Sequence, residues 1–156
     1  MIKRLAGITA VLLAACGGSS SRSASNATIA ITSPQSGSSV ALGTDAAQSV
    51  PVTFTLTNFT LKAAGTCAGM ANCGHVHLVI DSASSACNNS QGASSSDRYN
   101  VQITSGTSGN GQLATCGSGA AGTHSITLEL ADDSHNLLKD GSGNTIESTI
   151  TGITTH

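Results

Sequence analysis

The chain has almost no aromatic side chains. Of 156 residues none is Trp, one is Tyr and two are Phe, so stacking platforms for bases or sugars are missing. Charge is scarce too: only 9% of residues are Asp, Glu, Lys or Arg. With no basic stripe, neither nucleic acid nor an anionic membrane surface is an expected partner. No segment has sustained helical periodicity. Catalytic signatures are lacking as well. There is no Gly-x-Ser-x-Gly elbow, no His-Glu-x-x-His and no phosphate-cradling Gly-Lys-Ser/Thr. The Gly-rich stretches "GTSGNG" and "DGSGNT" lie between strand-like runs with no helix to follow, so they read as turns. A non-enzymatic protein is expected.

What is present begins with a leader pattern. Lys3 and Arg4 precede an apolar run over residues 5–15, then Cys16. The run is shorter than the ~20 apolar residues of a membrane-spanning helix, so residues 1–15 read as a secretory signal. "LAAC", residues 13–16, resembles the lipobox of bacterial lipoproteins. The resemblance implies cleavage before Cys16 and acylation of its sulfur and new amino group. Several acyl chains anchor stably where one is marginal. The alternative is an ordinary signal that happens to end in Cys. The basic start, the small residues before Cys16 and the "GGSSSRSASN" stretch behind it favour lipidation. The expected location is therefore the cell envelope, with the membrane as partner through the lipid. Gly17 lacks the Asp that retains many lipoproteins in the inner membrane, so the resemblance implies the outer one.

Removal of residues 1–15 leaves 141, one domain's worth, with four cations against eight acids and a net charge of −4. Residues 16–26, rich in Gly and Ser, read as a lipidated flexible tether, and 27–156 as the folded domain. Four cysteines remain besides Cys16: Cys67, Cys73, Cys87 and Cys116. An even count in an exported chain reads as two disulfides with three possible pairings. Cys67–Cys73, closing "CAGMANC", with Cys87–Cys116 is the favoured set. An oxidising compartment disfavours the alternative, thiolate metal binding.

Short alternating runs separated by turn clusters indicate an all-β sandwich or barrel. They are residues 27–32, 49–61, 75–81, 98–104, 112–116, 124–130 and 145–153, with loops expected at 82–96 and 105–111. In 49–61 the apolar parity changes after Leu56, which predicts a bulge near Asn58. "IAITSPQSGSSV" and "GTHSITLELADDSHN" resemble the opening and penultimate strands of bacterial immunoglobulin-like domains. That resemblance implies an immunoglobulin-like antiparallel β-sandwich of about seven strands. "GHVHLVID" with "GTHSITLELADDSH" is also similar to an uncharacterised family of small exported bacterial domains, in which Gly-His-x-His-Leu and a later Gly-x-His-Thr…Asp-x-x-His recur.

The histidines are the remaining chemistry. In "HVHLVID" strand alternation puts His75 and His77 together on the outer face, ~7 Å apart, opposite the apolar row Val76, Leu78 and Ile80. His124 shares the inward parity of Ile126, Leu128 and Leu130 and reads first as a corner residue. If 75–81 and 124–131 are antiparallel neighbours, the hairpin after the second brings His135 beside His75 and His77 and leaves His124 ~20 Å away. Three imidazoles there, with Asp132, Asp133 and Met70 near in sequence, would suit Cu or Zn. The alternative is a polar strand face with no chemistry. Asp132, Asp133 and Asp140 do not fit a Ca²⁺ loop, and His156 is expected to fray. Two functions follow: an envelope-anchored interaction or structural module with an unknown envelope protein as partner, or a copper- or zinc-binding protein.

Overall fold

The computed structural model describes residues 25–156. The expected signal segment, Cys16 and most of the tether lie outside the described residues. Among the described residues eleven strands follow one another: β1 (Thr28–Ser33), β2 (Ser39–Val40), β3 (Ser49–Thr57), β4 (Thr60–Leu61), β5 (Cys73–Ile80), β6 (Ser90–Gln91), β7 (Arg98–Tyr99), β8 (Val101–Ile103), β9 (Ser108–Gln112), β10 (Gly122–Asp132) and β11 (Glu147–Thr155). One 3-10 segment, Leu113–Gly119, precedes β10. The class is all-β.

Two sheets share one core. The first has the order β1-β3-β9, and the second β2-β11-β10-β5-β4, with β8 also pairing with β5. Val50, Val52 and Phe54 of β3 project into the same apolar cluster as Val76, Leu78 and Ile80 of β5 and Ile126, Leu128 and Leu130 of β10. Strict alternation on β3 produces this, because every second side chain faces the core. β5 differs: all eight of its residues are buried. Its outward row is therefore covered, and that cover builds the site described below.

The parity change after Leu56 marks a change of sheet rather than a bulge within one strand. Asn58 takes a left-handed backbone (φ +53°), and β4 beyond it pairs parallel with β5 instead of continuing along β1. Residues 113–116 are not a strand but 3-10 turn. The strand here is β9, which ends at Gln112 and lies mostly in the stretch expected to be a loop, and it pairs with β3 from Ser49↔Gln112 to Thr53↔Ser108. Its glycines hid it from the apolar pattern. A Cβ at Gly109 would run into the Ile103 side chain, so the strand is kept bare where the sheets meet.

Both ends of the described chain are held. Ser25 Oγ lies 2.8 Å from Asn72 Oδ1, and Asn72 Nδ2 donates to Asn26 Oδ1 at 2.7 Å. Those two residues, expected in the tether, thus dock on the domain. His156 is not frayed: its amide donates to Val40 and its carbonyl accepts from Leu42. Disulfides join Cys67 to Cys73 and Cys87 to Cys116.

Candidate metal centre

β5 and β10 are antiparallel neighbours in the register Ala131↔His75 and Glu129↔His77. The loop after β10 therefore returns over the first half of β5. Asp132 shapes that loop: its Oδ1 accepts the amides of Ser134 at 2.8 Å and Asn136 at 2.9 Å. Eight residues later the same device recurs, with Asp140 Oδ1 accepting the amides of Ser142 and Asn144. The two loops are Asp-x-Ser-x-Asn, and their fourth residue has a left-handed backbone in both. In the second loop it is Gly143 (φ +85°); in the first it is His135 (φ +62°). Glycine is the ordinary occupant, since a Cβ there costs about 1–2 kcal/mol. Nothing in the turn itself calls for an imidazole.

His135 is aimed at the β5 pair. His75 Nε2 lies 3.0 Å from His77 Nε2 and 3.1 Å from His135 Nδ1, and His77 Nε2 lies 3.3 Å from His135 Nδ1. Three ring nitrogens thus face one point. Each neutral ring nitrogen is either an N–H or a lone pair. Among three, at least one pair must then be alike and repel in every tautomer. A cation at the centre removes that conflict.

His75 and His77 are 0% and 1% exposed, so the expected outer face of β5 is not solvent-facing. The Tyr99 ring stacks on His77, centroids 4.0 Å apart and planes 16° apart. The His135 loop supplies further cover. It is tied down by hydrogen bonds from Gly65 to the Asp133 carbonyl, from Cys67 to Asp133 Oδ1, and from Ala93 to the His135 carbonyl. Asp133 and Asp132 thus carry the architecture around the site. Met70, at 51% exposure, is open to solvent.

Burial dominates the electrostatics. It pushes the His75 imidazole down to about 4, helped by His135 and opposed by Asp132 and Asp133. It pushes His77 down to about 3, helped by His75 and His135. Both rings are neutral at neutral pH, the form that ligates metal. His75 Nδ1 is buried without a hydrogen-bond partner among the described residues.

The edges of the nitrogen triangle, 3.0, 3.1 and 3.3 Å, report its geometry. Three nitrogens at ~2.0 Å from a tetrahedral ion are ~3.3 Å apart, whereas a square-planar arrangement sets one pair ~4 Å apart. The near-equilateral triangle suits three ligands on one side of an ion and has no edge long enough for the trans pair of a square plane.

His75, His77 and His135 are thus brought together, while His124 sits elsewhere, near Cys87 and Cys116. Buried at 7% exposure, it is held by a carboxylate: Nδ1 lies 3.0 Å from Asp81 Oδ2. Tyr99 was missed by sequence reasoning; its only signal was being the single Tyr. Comparison with family models, curated proteins and solved structures finds no match for this chain.

Proposed function

We propose that this domain is a non-enzymatic metal-binding module of the cell envelope. Its ligands are His75 Nε2, His77 Nε2 and His135 Nδ1, and it holds one Zn²⁺ or Cu⁺ ion per chain. The supporting observation is the convergence of three ring nitrogens within 3.3 Å of one another. A purely structural or docking role leaves that convergence unexplained, since packing does not require imidazoles to oppose their nitrogens. The near-equal edges favour ions content with tetrahedral or three-coordinate nitrogen over square-planar Cu²⁺. Asp132 and Asp133, which act electrostatically on His75, offset the charge of the bound ion. The reading specifies the ligand of an envelope module rather than replacing that role.

The same proposal includes the immunoglobulin-like character of the fold, supported by two mainly antiparallel sheets about one core, with short parallel edges at β2 and β4, and lipid anchoring at Cys16, supported by the "LAAC" resemblance. On detergent partitioning, Cys16→Ser should move the protein to the aqueous phase; unchanged partitioning would refute acylation there. Titration with Zn²⁺ should give one site per chain. His77→Ala and His135→Ala should each weaken it at least tenfold, about 1.4 kcal/mol, whereas His124→Ala should leave affinity in place. Equal affinity in wild type and His135→Ala would overturn the reading.

A further inference from the structure

A second constellation occupies the opposite end of β10. A ring nitrogen of His124 and the two sulfurs of the Cys87–Cys116 bridge lie within 4.8 Å of one another. His124 Nδ1 is held by Asp81 Oδ2 at 3.0 Å, and Asp81 Oδ1 accepts the Ser125 amide at 3.0 Å. The other ring nitrogen, Nε2, is buried and has no hydrogen-bond partner among the described residues. Two local distortions accompany this grouping. Asp81 has a left-handed backbone (φ +61°), and the register of β10 on β11 slips between His124 and Ile126. Such bulges re-aim side chains, and strained backbone persists where the surroundings enforce it. A bridge serving only as a staple needs neither a carboxylate-held imidazole nor an orphaned buried nitrogen beside it.

We propose that Cys87, Cys116 and His124 form a latent metal site, closed by the disulfide and opened by its reduction, for a thiolate-binding divalent ion such as Zn²⁺. A dithiol passes two electrons and two protons to the bridge and becomes a disulfide itself. The S–S bond breaks and two thiols form. Cys116, the half-buried partner, is where the reductant enters. On metal binding both thiol protons leave to solvent as two metal–sulfur bonds form. A ring nitrogen of His124 supplies the third ligand, and Asp81 Oδ2, 3.0 Å from His124 Nδ1 and 3.9 Å from the Cys87 sulfur, holds the imidazole beside the bridge. The site is independent of the His75, His77 and His135 trio.

The test uses the full chain, oxidised or reduced with a phosphine that is then removed anaerobically, and Co²⁺ as the probe. Reduction should add one Co²⁺ per chain with a near-ultraviolet thiolate-to-cobalt band that the oxidised chain lacks. The trio holds no sulfur, and comparison with the double-serine variant separates this site's band from any that the reduced Cys67–Cys73 pair or Cys16 contributes. His124→Ala should weaken the added site at least tenfold; His124→Gln is measured beside it so that a folding defect in one does not decide the result. The Cys87→Ser, Cys116→Ser variant should show no band. Three results would overturn the proposal: no band in a reduced chain that keeps its β-sheet circular dichroism, loss of that signal on reduction, or a band that survives in the double-serine variant and so comes from other cysteines. A band insensitive to both His124 substitutions would remove His124 from the site and overturn it equally.

Discussion

His135→Gly separates the chemistry of the trio from the stability of the fold. The residue sits at φ +62°, where the equivalent loop carries Gly143. Glycine relieves a left-handed penalty of about 1–2 kcal/mol, and returns roughly 0.5–1 kcal/mol through the larger entropy of the unfolded chain. The lost ring packing against His75, at a centroid distance of 4.5 Å, takes up what remains. The metal-free variant should therefore match wild type within about 1 kcal/mol in urea denaturation. Metal should tell the two apart. At a free concentration one hundred times the wild-type Kd, Zn²⁺ stabilises the wild type by about 2.7 kcal/mol, and a tenfold weaker site gains only about 1.4 kcal/mol. A metal-free loss above about 2 kcal/mol, well outside the range expected for a turn glycine, would make the imidazole a packing element. Equal stabilisation by Zn²⁺ would remove it from the site.

Two further outcomes follow from the same geometry. In the metal-free protein His75 and His77 take protons in the unfolded chain near pH 6.5 but in the fold only at about 4 and 3, so they withdraw stability as pH falls from 6.5 towards those values. Glu129, pushed up to about 7 by burial and then by Glu147 and Asp97, with Lys139 opposing, acts the other way, since the fold takes up its proton first as pH falls from 7 towards 4.5. Glu129→Gln should therefore be the more acid-sensitive protein between pH 7 and 4.5 in urea melts, and identical pH profiles would contradict this assignment. Gly74→Ala places a Cβ against the Ala131 carbonyl, which should cost more than about 2 kcal/mol and weaken Zn²⁺ binding by displacing the adjacent His75; a neutral substitution in both assays would refute the close approach.

Alternating runs between turn clusters made the all-β class legible, and the even cysteine count the two disulfides. The pairing of β5 with β10 was expected only as a condition, through the immunoglobulin-like resemblance, and with it the approach of His135 to His75 and His77; both are present. Other features depended on tertiary contacts that alternation cannot report. β9 was unreadable because Ser, Gly and Asn give it no apolar alternation, and its Gly109 answers to Ile103 of the opposite sheet rather than to a period. The burial of His75 and His77 was equally hidden, because an alternating strand predicts a polar outer face but not a lid made by Tyr99 and the His135 loop. One signal was available and overlooked. The repeated Asp-x-Ser-x-Asn, with His in one copy where the other has Gly, marks His135 as a side chain retained against local backbone preference. His124 was readable as inward-facing, but its partner Asp81 lies 43 residues away in sequence, beyond any local rule.

X-ray absorption at the zinc edge of the protein loaded with one equivalent of Zn²⁺ tests the central claim most directly. A first shell at ~2.0 Å should contain three nitrogens with the outer-shell scattering of imidazole rings, falling to two in His135→Gly. A shell of oxygens without imidazole scattering, or one unchanged by that substitution, would contradict it.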